Sequence, residues 1–235
     1  MRILGTICAR GGSKGIKNKN IRTLYKKPLI AHSIEALKAW GKANRIVCST
    51  DSEQIKKISN EYGAETPFIR PAELATDSAS KLSVWQHMVK FCEKEENNKY
   101  DFIVDLDPTS PLRLVKDIDN GFEKLKKFDA DIIFSVYKAD KNPYFNMIEL
   151  DENNYAHLCK TPKEYVTSRQ QSPKVYSLNA SIYILKRDFL IQTSNILSGK
   201  CIIYEMSDFS IDIDREIDFE FIEFILNKGL FKFDF

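Results

Sequence analysis

The chain has 235 residues, a net charge of +2 at pH 7, 43% apolar residues and 29% charged ones. That balance is typical of a globular protein and argues against broad adhesion to nucleic acid or membrane, so any anion is met locally. Five cysteines without a CxxC pair suggest neither a disulfide framework nor a structural zinc site.

The opening MRILGTICA is too short and too soon followed by charge for a signal peptide, and no apolar stretch approaches a membrane span; a cytoplasmic location is expected. RILGTICA (2–9) reads as a buried strand. The next stretch, CARGGSKGIKNKNI (8–21), carries Arg10, Lys14, Lys17 and Lys19, and no acid precedes Glu35. Helical spacing follows at 28–40 from Pro28, then a strand at 45–50 and a helix at 51–63 stopped by Gly63. AETPFIR (64–70) predicts a third short strand, 80–96 a helix, 100–107 a strand ending in acids, 115–128 a helix and 131–138 a strand.

This alternation predicts an α/β fold with a doubly wound, mostly parallel sheet, which binds ligands beyond the carboxyl ends of its strands. The basic loop and LDPTSPLR (106–113) both fall on that edge. Between 140 and 180, turn residues and short alternating runs read as an inserted β-rich lobe within a single domain, 1–235. Tyr144 and Phe145 could meet a second subunit there, or the lobe could pack back on its own sheet. The chain closes with a last strand ending in acids and a helix expected to face Ile217, Phe219, Ile222, Phe224 and Ile225 to the core.

The loop matches neither GxxxxGK[ST] nor GxGxxG, since Lys14 precedes Gly15 and Gly11 adjoins Gly12. Bare backbone at Gly12 still allows close approach of a phosphate. Arg10, Lys14 and Lys19 could fold round one polyanion; with no nearby acid to pair them, they would repel one another in an empty loop. In IDID, Asp212 and Asp214 stand two residues apart at the end of an apolar strand, which puts them on the same side with Ile211 and Ile213 on the other. Two such carboxylates suit Mg2+ (or Mn2+) bridging to phosphate, or an ordinary solvated edge. His32, His87 and His157 show no shared ligand spacing.

ARGGSKGIKNKNI resembles the N-terminal signature of the cytidylyltransferases that activate sialic acid and related nine-carbon sugar acids. The resemblance continues through RPAELATDSAS (70–80), LDPTSPLR, RQQSPKVYSLNASIYI (169–184) and SIDIDREID (210–218), in order over nearly the whole chain. It implies a Rossmann-like nucleotidyltransferase in which Arg10, Ser13, Lys14, Lys19 and Asn20 hold the triphosphate. Arg70 and Ser80 would join the nucleotide site, their ordinary alternatives being a surface salt bridge and a helix cap. Asp212 and Asp214 would hold the metal, with Arg10, Lys19 and Asp212 as the catalytic set. Arg169 would grip the sugar carboxylate, or form a rim ion pair. Asn179, Ala180 and Tyr183 would face the sugar, or merely pack.

Asp107 stands where sialic acid enzymes usually carry glutamine, at a position expected to face the sugar, and an ionised carboxylate only accepts hydrogen bonds. With NPYFNMIE (142–149), this looks more like the enzymes that activate legionaminic acid. Thr109 and Ser110 would bond the sugar or cap a turn. The implied reaction joins CTP to a nonulosonic acid, releasing pyrophosphate, with legionaminate favoured and sialate or another nonulosonate open. An eight-carbon acid (KDO) is the nearest rival; RQQSP and SIDID point away from it. A nucleic-acid module or an inactive nucleotide sensor fits less well with the α/β pattern and the paired aspartates. Family members are commonly homodimers joined through the inserted lobe.

Overall fold

The computed structural model describes residues 1–162, 168–206 and 211–235, and of Arg169 the backbone alone. Its central sheet takes in β1 (Ile3–Cys8), β4 (Arg45–Ser49), β5 (Phe102–Leu106), β6 (Ile132–Lys138), β9 (Tyr176–Lys186) and β10 (Cys201–Glu205). The order is β10-β6-β9-β5-β1-β4, parallel throughout except for β9, which runs antiparallel between β5 and β6. Two small antiparallel pairs stand apart: β2 (Thr23–Leu24) with β3 (Lys27–Pro28), and β7 (Ile148–Leu150) with β8 (Ala156–Leu158).

Helices cover both faces because each carries an apolar stripe. On one face, α1 (Leu29–Trp40) and α4 (Val115–Lys127) bury Ile30, Ile34, Leu37, Ile118, Phe122 and Leu125 against the sheet. On the other, α3 (Lys81–Glu96) and α5 (Arg187–Gln192) bury Val84, Trp85, Met88, Val89 and Leu190. Caps set several boundaries. Ser52 accepts from Ile55 N to start α2 (Glu53–Tyr62), which ends at Gly63 with φ 99°. Ser80 accepts from Ser83 N at 3.1 Å to start α3. Leu114 has no cap to offer α4, and Asp234 near the C-terminal end accepts from Val115 N at 2.8 Å instead.

A third cluster is separate. Ile16 of the basic loop, Leu24, Leu112, Ile213 and Phe219, Ile222 and Ile225 of α6 (Glu216–Asn227) share one small core. Three segments far apart in sequence are thereby fastened together at the carboxyl edge of the sheet.

The expected strand at 64–70 does not form; a single bridge joins Val47 and Glu65. Pro67 lacks a donor, and Arg70 N turns to Thr50 O at 2.7 Å. The strand expected to end in Asp212 and Asp214 does not form over 211–214, which join no sheet; Ile213 N donates to Thr109 O at 2.9 Å instead. In α6, Ile217 and Phe224 are 57% and 49% exposed, while Phe219, Ile222 and Ile225 are buried as expected. The buried set follows the helical period and the other two lie outside its stripe. The interval 140–180 is not all insertion, since its end from Tyr176 is the start of β9. Tyr144 and Phe145 are half-buried there. Among the described residues, no helix is long and apolar enough to cross a membrane.

Candidate active site

A cavity of about 460 Å³ opens at the carboxyl ends of β1 and β5. Arg10, Ser13, Lys14, Lys19, Asn20, Arg70, Asp107, Thr109 and Asp214 all line it, so four separate stretches of the sequence meet at one space; Asp212 is not among the lining residues. Its size falls within the range of small-molecule clefts.

The basic loop leaves β1 and is tied down at both ends. Gly11 N donates to Asp51 Oδ1 at 2.7 Å, and Asn20 Nδ2 donates to Arg10 O at 3.0 Å. A Cβ on Gly12 would meet nothing within 4 Å, so its backbone faces open space. At Gly15 a Cβ would stand 2.1 Å from the carbonyl oxygen of Asp214; the loop can touch the acidic arm only without a side chain there. Lys19 Nζ completes the contact, donating to Ile213 O at 2.5 Å and lying 3.5 Å from Asp214 Oδ1.

The loop cations are not unpaired. Asp77 bonds Arg10 at 2.7 Å and also pairs with Lys14, which corrects the expectation of mutual repulsion. Lys14, and then Arg10, hold the Asp77 carboxyl below its usual range. Arg70 is likewise no surface salt bridge. It is buried, and its guanidinium donates to Ser49 Oγ at 2.9 Å and Ser49 O at 2.5 Å. Ser80 caps α3 and borders a neighbouring cavity rather than this one.

Asp107 is committed on both oxygens. Oδ1 accepts from Thr109 N and Thr109 Oγ1, each at 3.1 Å, and Oδ2 accepts from Lys81 Nζ at 2.8 Å. Lys81 also pairs with the fully buried Asp105 at 2.8 Å. Burial works to raise the Asp107 carboxyl, but Lys81 and the Thr109 donors hold it below the usual range. Thr109 also bonds the Asp212 carboxyl, which burial pushes upward, helped by the nearby charges of Asp107 and Asp214.

The remaining expected sugar residues divide. Ser110 Oγ donates to Asn179 O at 2.6 Å, and both residues are buried. The Asn179 side chain accepts from Ser135 Oγ at 2.6 Å, and Ala180 takes φ 54° where the β6–β9 register shifts. Tyr183 is 8% exposed and borders the neighbouring cavity. The Arg169 side chain lies outside the described residues.

Two residues went unremarked in the sequence. Lys81, at the first turn of α3, had the ordinary look of a solvated lysine. Arg113 is fully buried and donates to Ser33 Oγ, Ser181 Oγ, Ser110 O and Asp107 O. Burial lowers its pKa to about 10. Only its place at the end of the TSPLR turn hinted at such a role.

The family model described as Cytidylyltransferase matches residues 4–231. The chain belongs to the cytidylyltransferase family. This cytidylyltransferase, a nucleotidyltransferase enzyme, is 41% identical over 227 residues to the post-translational flagellin modification protein B of Campylobacter coli, covering 96% of this chain and 95% of that protein. It is 39% identical over 235 residues to a CMP-N,N'-diacetyllegionaminic acid synthase of Campylobacter jejuni, covering 99% of each. The solved CMP:2-keto-3-deoxy-manno-octonic acid synthetase complexed with CTP shares the fold, with a TM-score of 0.72 at 13% identity over 97% of this chain and 99% of that one. The mixed, mostly parallel sheet expected from the strand–helix alternation is therefore that of known nucleotidyltransferases.

Proposed function

We propose that this enzyme activates a nine-carbon sugar acid with CTP, giving the CMP-sugar and pyrophosphate, and we assign N,N'-diacetyllegionaminate as the acid. The meeting of Lys19 and Asp214 at one cavity carries the reading, because it brings the loop cations and the acidic arm to a single polyphosphate-sized space. The near-full-length likeness to a diacetyllegionaminate synthase supports the choice of acid.

In the reaction, the hydroxyl on the anomeric carbon attacks the α-phosphorus and pyrophosphate leaves opposite. Catalysis is alignment and charge neutralisation. Arg10, Lys14 and Lys19 take up charge on the phosphates, and Gly12 lets backbone approach them. Arg70 borders the nucleoside, Ser80 serves as the cap of α3, and Arg169 takes the sugar carboxylate. Asp212 and Asp214 form an all-oxygen pair that fits a hard divalent cation, since the Asp212 carboxyl is raised by burial and by like charge. Mg2+ bound there would supply Lewis-acid neutralisation of the phosphates.

We further assign a homodimer closed through the β7–β8 hairpin, where Ile148, Leu150 and Tyr155 are 65%, 63% and 67% exposed. The five free cysteines suit a reducing cytoplasm.

The test is a panel of sugar acids (diacetyllegionaminate, sialate, pseudaminate and KDO) with CTP and Mg2+, read as pyrophosphate release. Diacetyllegionaminate should give the highest kcat/KM; no release with any acid would remove the reading.

A further inference from the structure

A further cavity, of about 350 Å³, shares no lining residue with the nucleotide-sized one, and its size suits a small ligand. One part of its wall is the turn between β2 and β3, where Tyr25 and Lys26 take φ 45° and 73°. Neither is glycine, and backbone held in that region is strained, as at many ligand clamps. Another part is the segment after α6, with Lys232, Phe233 and Phe235, and His32 of α1 joins them. The buried His32 ring donates from Nε2 to Leu24 O at 3.0 Å and stacks on Phe233 at 4.8 Å; Phe235 follows at 5.0 Å. Phe235 is only half-buried and Tyr25 is 41% exposed, so neither ring is fully covered.

Charge decides what those rings receive. Aromatic walls alone suit a cation. Here Lys26, Lys27 and Lys232 stand against the single carboxylate of Glu35, which Lys27 takes at 2.5 Å. Burial lowers the His32 pKa, so that ring is neutral and offsets nothing. Among the described residues neither Lys26 nor Lys232 has an ion pair; Lys26 lies 6.0 Å over the Tyr25 ring instead. A cation is repelled and an aliphatic anion forgoes the stacking, whereas an aromatic anion meets both features.

The cavity also reaches the active site through the third core. Leu226, Phe231 and Phe233 of its wall pack in that cluster with Ile16 of the basic loop and Ile213 of the acidic arm. A ligand spanning the β2–β3 turn and the segment after α6 needs that core assembled, the arrangement that also sets Lys19 against Asp214.

We propose that this cavity is a regulatory site for a small aromatic anion, its ring against Tyr25 and Phe235 and its charge on Lys26 and Lys232, whose binding favours the assembled loop and arm and so tightens CTP. Only that last effect rests on the CTP reading above.

The probe is phenyl phosphate, titrated by calorimetry into the full chain. It should bind at least about threefold tighter than cyclohexyl phosphate, as one ring contact implies. Lys26→Ala combined with Lys232→Ala should weaken it by at least about tenfold, as lost charge-assisted bonds do; both lysines are exposed, so the fold is kept. Arg10→Ala, in the nucleotide cavity, should leave probe binding unchanged. Saturating probe should lower the Kd for CTP by about fivefold, and the double variant should remove that shift. No probe binding, equal affinity for cyclohexyl phosphate, binding that survives the double variant, or loss of binding with Arg10→Ala would overturn the site. A higher Kd for CTP marks competition in the nucleotide cavity and an unchanged one removes the regulation; either overturns the proposal. Failure of CTP to bind with or without probe removes the functional reading, while lysine-dependent probe binding still upholds the site.

Discussion

Lys19 and Asp214, 195 positions apart in the chain, stand 3.5 Å from each other at the mouth of the cavity, and the same ammonium donates to Ile213 O. The contact joins the basic loop to the acidic arm. Lys19→Met removes it together with a charge facing the phosphates. Steady-state pyrophosphate assays should show kcat/KM for CTP lower by about 100-fold or more, and Arg10→Ala should fall as far, as lost preorganised contacts do. Circular dichroism should show both variants folded; wild-type turnover in either would remove its assigned role.

Gly15→Ala probes the same seam by sterics alone. Its new methyl carbon would lie 2.1 Å from the Asp214 carbonyl, a backbone atom that cannot swing aside. The loop and arm must part. CTP binding measured by calorimetry should weaken by at least about tenfold, although no charge has changed. Gly12→Ala, whose methyl meets nothing within 4 Å, should leave stability unchanged in a thermal melt.

Asp77 holds the two cations that we assign to the triphosphate. Nucleotide must displace it from Arg10 and Lys14. Asp77→Asn keeps the shape and removes the competing charge, so KM for CTP should fall by about two- to fivefold, as expected for exposed pairs. A rise in KM would instead make Asp77 part of the binding apparatus.

The Asp212 carboxyl is raised by burial and by its acidic neighbours. A group whose folded pKa exceeds its unfolded one loses stability as pH rises through the folded value, so at pH 7 its charge is a cost. Without divalent cation, Asp212→Asn should therefore melt at a higher temperature than wild type. Added Mg2+ should raise the melting temperature of wild type and not that of the variant. Equal responses to Mg2+ would remove Asp212 as a ligand.

Arg113 holds the TSPLR turn through acceptors on Ser33, Ser110, Ser181 and Asp107. Lysine lacks the planar fork needed to reach all four. Urea unfolding of Arg113→Lys should show a loss of about 3 kcal/mol, as for other broken buried charge networks.

Local signals determined much of this protein. Period and caps located α1 to α4 within a residue or two, because Ser52, Gly63 and Ser80 act on their own helix ends. The basic loop, Asp107 and Thr109 were legible as lying on one edge, since strand ends of such a sheet converge there, whereas Arg70 and Asp214, which end no strand, joined them through the family resemblance. Tertiary structure decided what depends on distant partners. Asp77 neutralises Arg10 and Lys14 from a separate loop, and Lys81 is drawn between Asp105 and Asp107 by a sheet that no local pattern encodes. Period alone did not show which stripe of α6 would be covered; the small core built by Ile16, Leu112 and Ile213 chose Phe219 and Ile222 and left Ile217 and Phe224 outside. Propensity acts between neighbours in sequence, whereas charge pairing and burial act between neighbours in space, and the latter came only with the folded chain.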